Sequence, residues 1–228
     1  MEAIVLAGGF GTRLRQVVTD LPKPMAPIAG RPFLEILLSS LAQKGFSRVV
    51  LSLGFMAEKI FSYFGKHFDG MDLSYVIEDH PLGTGGAVRL ALTQCMQDHV
   101  FVLNGDTFLD FDVVQVEQMW RARQRPVIVG CEVADTARYG RLLVAGDVVT
   151  GFTEKGLSGR GLINAGCYVL SRSQLDAFSI GEVFSLEADY LVPAVQAKQF
   201  DVFVTHGKFI DIGVPDDFLR AQTELYSS

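Results

Sequence analysis

The residues of this chain best suited to chemistry cluster near its start, in Leu6-Ala7-Gly8-Gly9-Phe10-Gly11-Thr12-Arg13-Leu14 and in Leu21-Pro22-Lys23-Pro24-Met25. Gly8, Gly9 and Gly11 let the backbone come close to a ligand and turn through conformations barred to other residues. Successive amides in such a loop form a concave donor array suited to phosphate oxygens. Arg13 adds a forked guanidinium and Lys23 a point charge. The combination fits the grip on a nucleoside triphosphate, with a glycine-rich turn and solvated cations as the plainer alternative. Two familiar phosphate loops are excluded by spacing. Leu14 stands where a dinucleotide fingerprint needs its third glycine, and no Gly-Lys-Ser/Thr tripeptide follows Gly8 or Gly9.

Two carboxylates stand where a cation could use them. Asp106 closes Asn104-Gly105-Asp106 directly after the apolar run Val100 to Leu103, and Asp211 interrupts the apolar segment Phe209-Ile210-Asp211-Ile212. A carboxylate at a strand end suits Mg²⁺, a hard cation that takes oxygen ligands, although Asn-Gly is also a common turn signal. A buried carboxylate is costly unless paired or metal-bound; capping a helix is the other use for Asp211. Glu154-Lys155, taken alone, reads as a solvated surface pair. His67, His80, His99 and His206 form no constellation.

The elements that must position these residues alternate in the first half. Strand-like runs at Ala3 to Leu6, Val49 to Leu53, Leu73 to Ile77 and Val100 to Leu103 are separated by helix-like stretches at Phe33 to Gln43, Ala57 to Phe64 and Ala87 to Met96. That alternation predicts a Rossmann-like α/β architecture, a mainly parallel mixed sheet flanked by helices. Its ligands are expected at the carboxyl ends of the strands. From Pro126 the pattern changes to short strands at Val127 to Val133, Leu142 to Val144, Val148 to Phe152 and Leu162 to Leu170. A helix-like stretch at Ser185 to Gln196, a strand pair at Val202 to Thr205 and Phe209 to Ile212, and a closing helix from Pro215 to Leu225 follow. The expectation is one domain over 1–228 in two halves, 1–125 with the glycine-rich loop and 126–228.

Bulk properties narrow the partners. A net charge of −6 argues against nucleic acid, which calls for a basic face, so a phosphate ligand must be met by local cations or by metal. No apolar run approaches the about 20 residues of a membrane helix, and Gly8 to Arg13 interrupt the first run too early for a signal pattern. Cys95, Cys131 and Cys167 lie far apart in apolar contexts, as in a reduced cytoplasmic protein. Oligomeric state is not legible; a homodimer is compatible with apolar helices such as Phe33 to Leu41.

The G-G-x-G-T-R-L loop followed by Pro-Lys-Pro resembles the sugar-phosphate nucleotidylyltransferase family. That resemblance covers nearly the whole chain and implies a single-domain, GT-A-like nucleotidyltransferase fold, with 1–125 as its nucleotide-binding half and 126–228 as its sugar-binding half. It implies attack of a sugar 1-phosphate on the α-phosphorus of a nucleoside triphosphate, with pyrophosphate leaving. Arg13, Lys23 and Asp106 match the family's catalytic positions, and Asp106 and Asp211 its Mg²⁺ ligands. Leu6, Ala7, Gly8, Gly9, Gly11, Thr12, Glu78, Gly83 and Thr84 match nucleotide-binding positions. Asn104, Gly140, Glu154, Lys155 and Asn164 match positions on the sugar-phosphate side.

Glu78-Asp79-His80-Pro81-Leu82-Gly83-Thr84-Gly85-Gly86-Ala87 resembles the family's base-recognition loop, with a glutamate where thymidylyl and uridylyl relatives place an amide. An ionised carboxylate only accepts hydrogen bonds. Guanine offers it two adjacent donors, N1 and N2, whereas uracil and thymine offer one donor between two acceptors. GTP is therefore favoured, with Glu78 as a solvated loop acid the competing reading. The loop's Leu-Gly-Thr-Gly-Gly-Ala form, with Leu-Asn-Gly-Asp-Thr and Leu-Ile-Asn-Ala-Gly, is most similar to short guanylyltransferases of heptose pathways. A mannose 1-phosphate guanylyltransferase and a uridylyltransferase are the rival enzymes. A catalytically silent nucleotide-sugar sensor would have lost a cation or an aspartate, yet Arg13, Lys23, Asp106, Lys155 and Asp211 are all present.

Overall fold

The computed structural model describes residues 1–9, 21–153 and 155–225. In chain order its elements begin with β1 (Glu2–Leu6), β2 (Pro27–Ile28), β3 (Arg31–Pro32), α1 (Phe33–Gln43), β4 (Arg48–Leu53), α2 (Ala57–Phe64), β5 (His67–Phe68), β6 (Met71–Ile77), α3 (Gly83–Leu92), β7 (His99–Asn104), β8 (Thr107–Leu109) and α4 (Val113–Arg123). The second half adds β9 (Val127–Val133), β10 (Leu142–Ala145), β11 (Val148–Phe152), β12 (Gly161–Ser171), a π-helical turn (Leu186–Leu191), α5 (Val192–Gln196), β13 (Asp201–Thr205), β14 (Phe209–Asp211) and α6 (Pro215–Glu224).

One sheet of ten strands runs in the order β10-β11-β13-β9-β12-β7-β1-β4-β6-β5. Strands β7, β1, β4 and β6 are mutually parallel. β12 enters antiparallel between β7 and β9, so both halves of the chain share the sheet. The parallel strands are apolar along most of their length because both their faces are covered. Leu34, Leu37, Leu38 and Leu41 of α1 close one face over Ala3, Val5, Val49 and Leu51. Val88, Ala91 and Leu92 of α3 close the other over Ile4, Val50 and Val102. This is the expected mainly parallel mixed sheet flanked by helices.

Two expectations differ from the structure. Val202 to Thr205 and Phe209 to Ile212 are strands but not a pair. β13 lies in the main sheet, parallel to β9, while β14 leaves it and pairs antiparallel with β8 in a separate ribbon. The reason is burial: Ile210 and Ile212 close a cluster with Phe108, Phe33 and Phe218, away from the main sheet. The third helix of the first half runs Gly83–Leu92 rather than Ala87 to Met96, because its glycine-rich first turn is itself helical. Among the described residues no helix is long and apolar enough to cross a membrane. All three cysteines are buried and unpaired.

Candidate functional site

β1 lies between β4 and β7, so the chain departs to opposite sides of its carboxyl end, and such a switch point leaves a crevice. A cavity of about 450 Å³ occupies it, lined by Leu6, Ala7, Gly8 and Gly9 after β1 and by the ends of β4, β6 and β7. The strand ends are held together by backbone. The Ala7 N–H donates to Ser52 O at 2.8 Å and the Gly105 N–H to Leu6 O at 2.9 Å. The approach is so close that glycine is needed on both neighbours. A Cβ on Gly54 would lie 2.8 Å from Gly8 O, and one on Gly105 would lie 2.5 Å from Leu6 O.

Lys23 sits on a single 3₁₀ turn, Lys23–Met25, set between Pro22 and Pro24. Its side chain is 13% exposed, and its ammonium pairs with the Asp106 carboxylate at the inner edge of the cavity. The β8–β14 ribbon brings the second carboxylate alongside, since Asp211 stands opposite Thr107, the residue after Asp106. The Ile212 N–H donates to Asp106 O at 3.0 Å, and the Gly213 N–H to Asp211 Oδ1 at 2.7 Å. A Cβ on Gly213 would lie 2.7 Å from both Asp211 Oδ1 and Lys23 Nζ, so glycine makes room for both charges. Burial, and next the charge of Asp106, push the Asp211 carboxyl above the ordinary carboxylate range. A buried carboxylate raised by the charge of a second one beside it, with an ammonium against the pair, fits a divalent cation with oxygen ligands. The site offers two carboxylates, and no group of three or more His, Cys, Asp or Glu placed to hold a metal occurs among the described residues.

The side wall is the loop after β6. The Glu78 N–H donates to Leu53 O at 3.0 Å, and Glu78 Oε2 accepts from the Leu82 N–H at 2.9 Å. Its Oε1 faces Gly8, 3.2 Å from where a Cβ there would be. Glu78 is therefore a fixed, half-buried acceptor facing the cavity rather than a solvated acid. Gly83 and Thr84 line the cavity at the start of α3, but much of their chemistry is structural. Gly83 has φ +71°, and its Cβ would strike Phe184 O at 2.5 Å. Thr84 Oγ1 accepts from the Leu186 N–H at 3.0 Å. Phe184 O in turn accepts from the Gly85 N–H at 3.0 Å, so the first donors of α3 are already partly used.

On the far side Asn104 meets β12, which bulges between Asn164 and Cys167. Gly166, at φ +69°, leaves no room for a side chain against the Asn104 amide. Asn164 Nδ2 donates to the Tyr168 hydroxyl at 2.8 Å, and Asn164 Oδ1 accepts from the Gly166 N–H at 3.1 Å. Gly140 packs on the strand end after β11, where its Cβ would lie 2.6 Å from Thr153 O, and Lys155 follows exposed. Gly140, Lys155, Asn164 and Asp211 are not among the residues lining the main cavity. Gly11, Thr12, Arg13 and Glu154 lie outside the described residues.

Cavity or cluster residues to which the sequence reading gave no role include Ser52, Gly54, Phe55, Gly105 and Gly213. The signal available for Ser52 was a lone polar residue inside the run Val49 to Leu53. For Gly54 and Gly105 it was a glycine immediately beyond a parallel strand, where a ligand or a second backbone comes close.

The sequence matches the Nucleotidyl transferase family over residues 2–228. It is 39% identical over 226 residues to the D-glycero-α-D-manno-heptose 1-phosphate guanylyltransferase of Aneurinibacillus thermoaerophilus, covering 99% of this chain and 98% of that protein. The crystal structure of HddC from Yersinia pseudotuberculosis superposes with a TM-score of 0.87 at 38% identity, covering 97% of both chains. A second crystal structure of HddC, complexed with GMP-PN, gives a TM-score of 0.85 at 37% identity, again covering 97% of both chains. With the match running from the first strand through the closing helix, this chain belongs to the nucleotidyl transferase family.

Proposed function

We propose that this protein transfers a guanylyl group from GTP to D-glycero-α-D-manno-heptose 1-phosphate, releasing pyrophosphate and forming GDP-heptose. The observation that carries the chemistry is the cluster of Lys23, Asp106 and Asp211 where the cavity meets the β8–β14 ribbon. Near full-length similarity, at 39% identity, to a heptose 1-phosphate guanylyltransferase supports the choice of sugar and base.

A phosphate oxygen of the sugar 1-phosphate is the nucleophile, so no protein nucleophile is required. It forms a bond to the α-phosphorus as the bond to the bridging oxygen of pyrophosphate breaks. The protein contributes position and charge. The backbone of Gly8 and Gly9 holds the nucleotide against the ends of β1 and β4. Lys23 exchanges part of its contact with Asp106 for phosphate oxygen, offsetting charge at the reacting centre. Arg13 takes the β- and γ-phosphates. Asp106 and Asp211 would hold Mg²⁺, which supplies Lewis-acid polarisation and a template for the phosphates when bound. Glu78 accepts from guanine N1 and N2. Residues 126–228 supply most of the sugar side, with Lys155 toward the 1-phosphate and Gly140, Glu154 and Asn164 toward the sugar, joined by Asn104 from the end of β7.

The test is product identity. Incubation with GTP and Mg²⁺ should convert heptose 1-phosphate to GDP-heptose, identified by mass, far faster than it converts mannose 1-phosphate. Faster conversion of mannose 1-phosphate would reassign the sugar, and an Asp106→Asn variant with the wild-type rate would remove the metal reading.

A further inference from the structure

Ser52 is a buried polar residue without a partner among the described residues. It is the fifth residue of β4 and 1% exposed. Burying a hydroxyl without a partner disfavours folding, and such a group calls for an explanation. The phase of the strand supplies one. Val49, Leu51 and Leu53 point into the cluster under α1, while Val50 points into the cluster under α3. Ser52 shares the face of Val50, because side chains alternate along a strand. That face carries Ala87 of α3 at the cavity, and Ser52 is itself one of the lining residues.

The backbone fixes what lies beside it. Ser52 stands opposite Leu6 on one side and Val76 on the other. Its carbonyl receives the Ala7 N–H, and the next carbonyl, Leu53 O, receives the N–H of Glu78. Ser52 therefore stands in the wall of the cavity beside the first loop and Glu78, its hydroxyl buried at that wall rather than beside the Lys23–Asp106 pair that meets β7 and β8. Glu78 offers only acceptors, whereas guanine's edge also carries the acceptor O6 and a second N2 hydrogen. A hydroxyl, which both donates and accepts, complements either.

We propose that Ser52 is a base-reading residue, its hydroxyl finding its missing partner on the edge of the purine that Glu78 also reads. The inference rests on the nucleotide reading of the cavity. It makes Ser52 part of nucleotide selection rather than of the transfer step.

Ser52→Ala and Ser52→Cys separate this role from a structural one. Calorimetric Kd values for GTP, ATP, UTP and CTP would be taken on wild type and both variants, with thermal midpoints of the free proteins. Ser52→Ala should melt at or above the wild-type temperature, since it removes an unpaired buried hydroxyl. It should bind GTP about threefold to tenfold more weakly, the worth of one neutral hydrogen bond. The other triphosphates should be unchanged, and Ser52→Cys, with its weaker donor, should fall between. Equal weakening for all four triphosphates, no weakening at all, or a lower melting temperature for Ser52→Ala would each overturn the assignment. Wild-type protein that binds all four equally would overturn the nucleotide reading and this inference together. Selective wild-type binding with an unaltered Ser52→Ala would overturn the inference alone.

Discussion

Gly105→Ala tests whether the site depends on how closely β1 and β7 approach at their carboxyl ends. Gly105 is not among the residues with positive φ, so alanine can adopt its backbone conformation and only space is at issue. The added Cβ would lie 2.5 Å from Leu6 O, 3.0 Å from Leu6 C and 3.1 Å from Ala7 Cα. All three are main-chain atoms that cannot rotate aside. Opening the 2.5 Å approach to an ordinary 3.4 Å contact moves one strand end by about 0.9 Å. Overpacking of this kind costs about 1–3 kcal/mol. For a chain of this size that lowers the melting temperature by about 2–12 °C. The functional cost is larger, because the shift falls between Ala7 and Asp106, both of which line the cavity that the proposed function fills with the reacting phosphates. A misplacement near 1 Å is worth about 100-fold in rate. The assay is kcat/KM from pyrophosphate release beside a melting curve. A variant within about threefold of wild type with an unchanged melting temperature would refute the reasoning.

Three further predictions follow from the geometry. The Asp211 carboxyl is raised by burial and by Asp106, so it supports folding only below its unfolded pKa, and that support is lost as pH rises through the folded value. Asp211→Asn should therefore melt higher than wild type near neutral pH in chelator while losing nearly all turnover; identical melting curves would contradict the raised carboxyl. Tyr168→Phe removes the oxygen that accepts from Asn164 Nδ2. It should raise KM for the sugar 1-phosphate about threefold to tenfold and leave KM for GTP alone, and a rise in KM for GTP alone would place Asn164 on the nucleotide side. Burial tends to raise the Glu117 carboxyl, but hydrogen bonds from His99 and Arg121 hold it below the ordinary range. Its support for folding is thus present above its unfolded pKa and lost as pH falls through the folded value. Glu117→Gln should cost about 1–3 kcal/mol at neutral pH and little in strong acid, and a urea-midpoint difference that persists unchanged in strong acid would contradict this.

The parallel core was legible because its strands are covered on both faces and so read as near-continuous apolar runs, as at Val49 to Leu53 and Val100 to Leu103. The β8–β14 ribbon was not. Thr107–Leu109 has too few residues for a period, and it follows Asn104-Gly105-Asp106, which reads equally as a turn. Helix α4 also escaped notice, since Gln115, Glu117, Gln118, Arg121 and Arg123 blur its apolar face. Its cap, Asp112 accepting from the Gln115 N–H, was the usable signal. The helix-like stretch Ser185 to Gln196 is helical, but it opens with a π turn where Pro193 has no N–H to offer the Asp189 carbonyl.

In the site, chemical type was legible and surroundings were not. The aspartates and Lys23 declared themselves by charge at strand ends, and their meeting depends on a ribbon that pairs residues far apart in sequence. Thr84 looked like a ligand contact, and its hydroxyl turns out to hold Leu186. Ser52 carries no role in the sequence reading, and its burial and lack of a partner among the described residues are what mark it.

The most direct test of the central claim is the initial rate of pyrophosphate release with GTP, UTP, CTP, ATP and dTTP against D-glycero-α-D-manno-heptose 1-phosphate, with Mg²⁺ and with chelator. The account predicts release with GTP and Mg²⁺, at least about tenfold above any other triphosphate, and none in chelator. Equal release with UTP or dTTP would contradict the Glu78 reading of guanine. Release undiminished in chelator would contradict the pairing of Asp106 with Asp211 as a cation site.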